Sequence, residues 1–207
     1  MSKQIERRAV RELELRADND DLPDGVVGRL RGYASVFERD SAEFSGWEKP
    51  WVERVAKGAF TRTLSEKRDQ VALHSHDDGR PLAKRGKGLE LSEDAHGLAV
   101  EIDLPDTNDG RDLLAQVKRG LIDAMSFGFR VIKESIEKGE ARDVRTLDEV
   151  ELHEVSAVLF PAYPDTSLAV RSLKAAQEES TDAAAKREAD EQQKLSDADF
   201  GAGLFGS

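Results

Sequence analysis

A serine, two closely spaced histidines and an acid among apolar residues are the side chains of this sequence with the types and spacing for covalent chemistry. The serine is Ser126 in "GLIDAMSFGFRV", residues 120–131. Strand alternation there puts Met125, Phe127, Phe129 and Val131 on one face and Ala124, Ser126, Gly128 and Arg130 on the other. The first is a core face. The second is made of small groups around a hydroxyl. Small neighbours leave room for a ligand to reach Ser126, or let another element pack close. A serine hydroxyl is almost fully protonated at neutral pH, so as a nucleophile it needs a base. Histidine is the usual one.

The chain has four histidines: His74, His76, His96 and His153. His96 falls in the turn "EDAHGL" and is expected to be solvated. His74 and His76 stand in "ALHSHDDGRP" at a strand end, and alternation gives them a common face. With Asp77 they also raise the reading of a metal-dependent hydrolase centred on His74, His76 and Asp77. A first-row metal needs three or four converging ligands, and the HxHDD spacing alone does not supply convergence.

A histidine base needs an orienting acceptor. In "VELHEVSAVLF", alternation puts Val150, Leu152, Glu154, Ser156, Val158 and Phe160 on one face, so Glu154 is an acid among apolar neighbours. Burying a carboxylate costs on the order of several kcal/mol unless it is paired. A partner is therefore expected, either a histidine or an arginine such as Arg130 or Arg145. His153, next door, is the alternative third member.

These side chains need a scaffold. "VRELELRA", "VVGRLRGYASVF", "QVALHSH", "GLELSED", "GLAVEIDLP", "AMSFGFRVIK" and "DEVELHEVSAVLF" read as strands. A loop with Trp47, Pro50 and Trp51 separates the second from the short helix "KGAFTRTLSEK", where Phe60 and Leu64 share a side. "TNDGRDLLAQVKRG" is a second helix, capped by Thr107 or Asn108 and stopped by Gly120. This predicts a mostly β (α+β) fold of six to eight strands in a closed or nearly closed β-barrel with two or three surrounding helices. Composition shifts near residue 172. Residues 1–172 read as one domain and 173–207 as an acidic, low-complexity tail, disordered or loosely helical.

Bulk composition narrows the classes. The chain has 207 residues, 35% charged and 38% apolar, with net charge −11. That balance argues against nucleic acid as the main partner, since phosphate binding needs a basic patch. No apolar run spans a bilayer and the first residues lack a secretory core, so no membrane association is expected and an intracellular protein is the default. There is no cysteine. Thiol catalysis, disulfides and Cys-ligated zinc are excluded, and neither a metal nor another cofactor is expected.

Several segments together resemble the prohead (capsid maturation) serine proteases of tailed bacteriophages, relatives of the herpesvirus assemblins. They are "RGYASVFERD", "ERVAKGAF", "HSHDDGRPLA", "GLAVEIDLPDTNDGRDLLAQVKRGLIDAMSFGF" and "LHEVSAVLFPAYPDTSLAVRS", in order from Arg31 to Ser172. The resemblance implies a barrel protease with Ser126 as nucleophile and His76, the histidine before an aspartate, as base. Its Glu-Val-Ser segment falls on Glu154, Val155 and Ser156 and implies Glu154 as third member; the assemblins' second histidine keeps His153 as the alternative. It implies an endopeptidase acting on scaffolding protein, or on scaffolding segments of the major capsid protein, and on itself. The setting would be the immature capsid in the host bacterial cytoplasm, with a homo-oligomer possible. "FPAYPDT", residues 160–166, is the candidate source of oxyanion donors. The rival reading is a catalytically inactive scaffolding or assembly protein of the capsid.

Overall fold

A computed structural model describes residues 5–10, 16–18, 22–45, 49–66 and 69–159. All fall within the unit Met1–Thr166. The expected boundary near residue 172, the tail after it and residues 160–166 lie outside the described residues.

The strands are β1 (Glu6–Val10), β2 (Arg16–Asp18), β3 (Val26–Val36), β4 (Trp51–Val55), β5 (Val71–His74), β6 (Asp77–Arg85), β7 (Gly88–Glu93), β8 (Gly97–Pro105), β9 (Ala124–Glu137) and β10 (Asp143–Val158), and the helices are α1 (Thr61–Ser65) and α2 (Asn108–Lys118). They form one sheet in the order β1-β9-β10-β5-β6-β7-β8-β3-β2, with β4 added to β10. The sheet curls, so that β3, next to one end, packs on β1 and β9 at the other. Among the described residues no ladder joins the two ends. This is the nearly closed form of the expected mostly β fold.

Met125, Phe127, Phe129 and Val131 enter the core as their spacing predicts. Phe127 stacks on Phe129 with ring centroids 4.9 Å apart and meets Phe60 edge-on at 5.4 Å. α2 covers the core with Leu113 and Val117. Thr107 is its cap, its hydroxyl accepting from Gly110 N at 3.2 Å. Gly120 ends the helix region at φ +67°, in the left-handed range that favours glycine.

The strand count exceeds the expected six to eight for identifiable reasons. β6 contains Gly79 and Pro81, which remove the usual strand signal, and its pairing with β5 is irregular around Leu73. β4 was expected to be loop. It pairs in parallel with Asp143–Leu147 at the start of β10, and its Glu53 is buried among apolar residues. The segment read as one strand, "VRELELRA", instead contributes to β1 and β2, with 11–15 between them outside the described residues.

Glu53 belongs to a buried ion cluster. Arg145 donates to Glu6 Oε2 at 3.0 Å, Glu53 Oε2 at 2.9 Å and Glu134 Oε2 at 2.6 Å. Arg8 donates to Glu53 Oε1 at 2.6 Å and Glu6 Oε2 at 2.8 Å. Burial alone would raise the Glu6 carboxyl, but the hydrogen bond and charge of Arg145, with the charge of Arg8, hold it below its ordinary value. A carboxylate so depressed stabilises the fold above its unfolded pKa, and that stability is lost as pH falls through the folded value.

Arg145→Met leaves Glu6 and Glu53 with Arg8 alone. The expected cost is about 3–5 kcal/mol, read as a lower urea midpoint at pH 7 with unchanged slope. A midpoint equal to wild type would show that Arg8 suffices.

Candidate active site

Ser126, His76 and Glu154 gather where β9, β10 and the end of β5 meet. β9 and β10 run antiparallel, and Ser126 pairs with Ser156. β5 runs parallel to β10, with Ser156 beside Leu73 and Ala157 beside His74. The chain leaves β5 at His74 and turns through Ser75 and His76, both left-handed at φ +55° and +61°. Such backbone costs on the order of 1–3 kcal/mol per residue unless its surroundings enforce it. Here Ser75 N donates to Ala157 O at 3.0 Å and His76 N donates to Ser156 Oγ at 3.2 Å.

The turn swings the His76 ring onto Glu154. His76 Nδ1 lies 2.7 Å from Glu154 Oε1. Ser156 Oγ donates to the other carboxylate oxygen, Oε2, at 2.7 Å. Arg7 Nε stands 3.6 Å from Oε1. The expected partner for a buried Glu154 is thus a histidine. Arg145 is committed to its own cluster. The far ring nitrogen of His76, Nε2, is buried and has no hydrogen-bond partner among the described residues.

The reason given by alternation for Glu154 is overturned. Leu152 pairs with Phe129 and Glu154 with Gly128, so two steps along β10 answer one along β9. His153 is the extra residue of a β-bulge, and the bulge moves the next residues of the strand to the opposite face. Leu152, Val155 and Ala157 belong to the core, whereas Glu154 and Ser156 face the same side as Ser126 and Gly128. Gly128 makes room there, because a Cβ on it would crowd Glu154 Oε1 and force the carboxylate to shift.

Ser126 is fully buried. Its hydroxyl donates to the backbone carbonyl of Arg8 in β1, at 2.8 Å, and not to His76. β1 lies along β9 with Ala9 opposite Ser126 and Arg7 opposite Gly128. His153, in the bulge, has its Nε2 3.8 Å from Glu151 Oε1.

His74 and His76 do not share a face, because the strand ends at His74 and the left-handed turn begins there. His74 is buried. Burial first, then the Arg80 charge, push its pKa down. Asp77 Oδ1 accepts from Gly79 N at 2.8 Å. The set His74, His76 and Asp77 does not converge, and no cluster of three or more such residues is placed to hold a metal among the described residues. His96 is exposed, as expected, with its ring edge-on to Tyr33. Sequence reasoning missed Ser156 and Gly128 as site residues. Their signal was present, since both share the faces assigned to Glu154 and Ser126.

The model of a protein family described as caudovirus prohead serine protease matches residues 11–181. The chain is similar to the prohead protease of Escherichia phage T5, 28% identical over 153 residues that cover 74% of this chain and 67% of that protein. It is 30% identical over 151 residues to the prohead protease of Enterobacteria phage HK97, covering 70% of this chain and 61% of that one. Among solved structures, the capsid assembly protease of bacteriophage T4 aligns with a TM-score of 0.44 at 12% identity, covering 74% of this chain and 98% of that chain.

Gly128→Ala forces Glu154 away from its place. The expected result is a loss of about 1–3 kcal/mol in urea unfolding with native far-UV circular dichroism, and a slower rate in any reaction that uses the His76–Glu154 pair. Wild-type stability and rate would show that the carboxylate has room to move.

Proposed function

The chain belongs to the caudovirus prohead serine protease family; from that premise, that it is a serine peptidase of capsid maturation, we propose that Ser126 is its nucleophile, His76 its general base and Glu154 the residue that orients the base. The observation that carries this is the His76 ring. One nitrogen is fixed by a buried carboxylate at 2.7 Å, and the other has no hydrogen-bond partner among the described residues. A base poised to receive a proton needs this arrangement.

In the reaction, the Ser126 hydroxyl leaves the Arg8 carbonyl, gives its proton to His76 Nε2 and attacks a peptide carbonyl. Glu154 keeps Nδ1 protonated and stabilises the imidazolium without taking the proton. His76 then protonates the leaving amine. Water, deprotonated by His76, attacks the acyl carbon, and His76 returns that proton to Ser126 Oγ as the C–Oγ bond breaks. The oxyanion needs preorganised donors; the proposed source is residues 160–166, which lie outside the described residues. Glu154 is favoured over His153 by contact, since its carboxylate lies 2.7 Å from His76 Nδ1.

The substrates we propose are scaffolding protein, or scaffolding segments of the major capsid protein, inside the immature capsid in the host cytoplasm, together with the protease itself. Residues 173–207, acidic and poor in apolar side chains, would form a second region that tethers it to the capsid or scaffold and is removed by self-cleavage. No helix among the described residues is long and apolar enough to cross a membrane. The competing reading, an inactive assembly protein, draws on the bond from Ser126 to Arg8 in place of His76. The buried His76–Glu154 pair speaks against it, because a site without chemistry gains little from placing a histidine on a carboxylate through two left-handed residues.

Ser126→Ala should fold normally and lower processing of a co-expressed capsid or scaffolding protein by about 10⁴-fold or more. Intact mass over time should show self-cleavage in wild type only. Normal processing by the variant would sink the nucleophile assignment. Glu154→Gln should slow cleavage strongly and His153→Gln hardly; the reverse order would make His153 the third member.

A further inference from the structure

We propose that Ser156 is a positioning residue of this site: its single hydroxyl fixes both the carboxylate that orients His76 and the backbone that carries His76. This deepens the Ser126–His76–Glu154 reading and rests on it.

Ser156 is fully buried. A serine hydroxyl has one proton to give and two lone pairs to receive with. Ser156 gives its proton to Glu154 Oε2 at 2.7 Å and receives the N–H of His76 at 3.2 Å. Each contact answers a specific need. Glu154 has two oxygens, and His76 Nδ1 engages only Oε1. With Oε2 unbonded, the carboxylate is free to rotate and exchange its oxygens. The bond from Ser156 removes that freedom and leaves Oε1 facing the ring. On the other side, the His76 N–H belongs to a left-handed residue just past the end of β5. Ser156 supplies its acceptor. Base and orienting acid are thereby referred to one atom on β10.

The register makes Ser156 a reference point for the nucleophile too. It pairs with Ser126 on β9 and with Leu73 on β5. It stands two residues after Glu154, beyond the bulge, on the same face. A displacement of this hydroxyl therefore changes the relation between base and acid without touching a substrate.

The test uses Ser156→Ala, Ser156→Cys and Ser156→Thr in the full chain, with Ser126→Ala as reference. Cysteine fills nearly the same volume but donates weakly, and threonine restores the hydroxyl. Alanine and cysteine are expected to lower kcat about 10- to 100-fold with KM within about twofold, and threonine to recover most of the loss. The second readout is the far-downfield proton NMR signal of His76 Nδ1–H, assigned by its loss in Glu154→Gln. It should be present in wild type and Ser126→Ala, lost or broadened in Ser156→Ala and Ser156→Cys, and present in Ser156→Thr. If alanine leaves a destabilised protein, the cysteine variant decides. Wild-type kcat together with an unchanged signal in Ser156→Cys overturns the proposal. So does a loss of kcat in that variant with the signal intact, which would mark a packing role. Should Ser126→Ala cleave normally, the triad reading falls, and the signal alone then judges whether Ser156 holds the His76–Glu154 pair.

Discussion

The pairing of β9 with β10 decides where this site lies, and its one-residue slip at His153 decides which face receives the carboxylate. Had β10 kept strict alternation, Glu154 would join Leu152 in the core, opposite a row of phenylalanines. The bulge sends it to the side of Ser126. Gly128 leaves the room across from it that the carboxylate uses, since a Cβ there would crowd Glu154 Oε1. One irregularity thus fixes the acid, favours the glycine and puts Ser156 where its hydroxyl reaches both Glu154 and His76. Bulges beside active sites commonly serve to re-aim a side chain.

A second constraint acts from the opposite face of the same sheet. Arg8 carries its guanidinium into the ion cluster with Glu53 and Glu6, and lends its backbone carbonyl to Ser126. The guanidinium also lies 5.7 Å from the ring centroid of Phe129, a core neighbour of Phe127. Removing one partner from a buried pair costs far more than the pair contributes, because the remaining charge is stranded. β1 is therefore held in register against β9 by charges on one side, and that register sets what the Ser126 hydroxyl meets on the other. The cluster and the site share a strand.

Much of this was legible in the sequence, but not always for the right reason. Met125, Phe127 and Phe129 announced a core strand, and the structure places them there. Thr107 announced a helix cap. Glu154 was singled out as an acid needing a partner, and it has His76; yet the face on which it was found is the wrong one. Periodicity carries no mark of a bulge, because the extra residue costs nothing in local propensity and appears only when the partner strand is laid beside it. The same limit hid β4, whose strand pairing comes from the start of β10, far along the chain. Pro81 and Gly79 masked β6 in the same way: local signals argued against a strand that tertiary pairing imposes.

The pair of histidines shows most clearly what the geometry adds. At i and i+2 they would be equivalent on a continuing strand. They are not equivalent, because β5 stops at His74. That residue stays in the ladder and is buried with Gln116, and burial favours its neutral form. A histidine held there is poorly suited to accept a proton, since its charged form is the one disfavoured. His76 ends the left-handed pair, with Nδ1 on a carboxylate that stabilises the charge it would acquire. The strain of the turn, on the order of 1–3 kcal/mol per residue, is offset by the bonds to Ala157 and Ser156 and by the ring's contact with Glu154. A turn was needed because a strand cannot do both things at once: β5 must keep its backbone on β10, and the His76 ring must reach back over β10 to Glu154 standing on it. Leaving the ladder at His74 lets the chain satisfy the first requirement with the four residues of β5 and the second with Ser75 and His76.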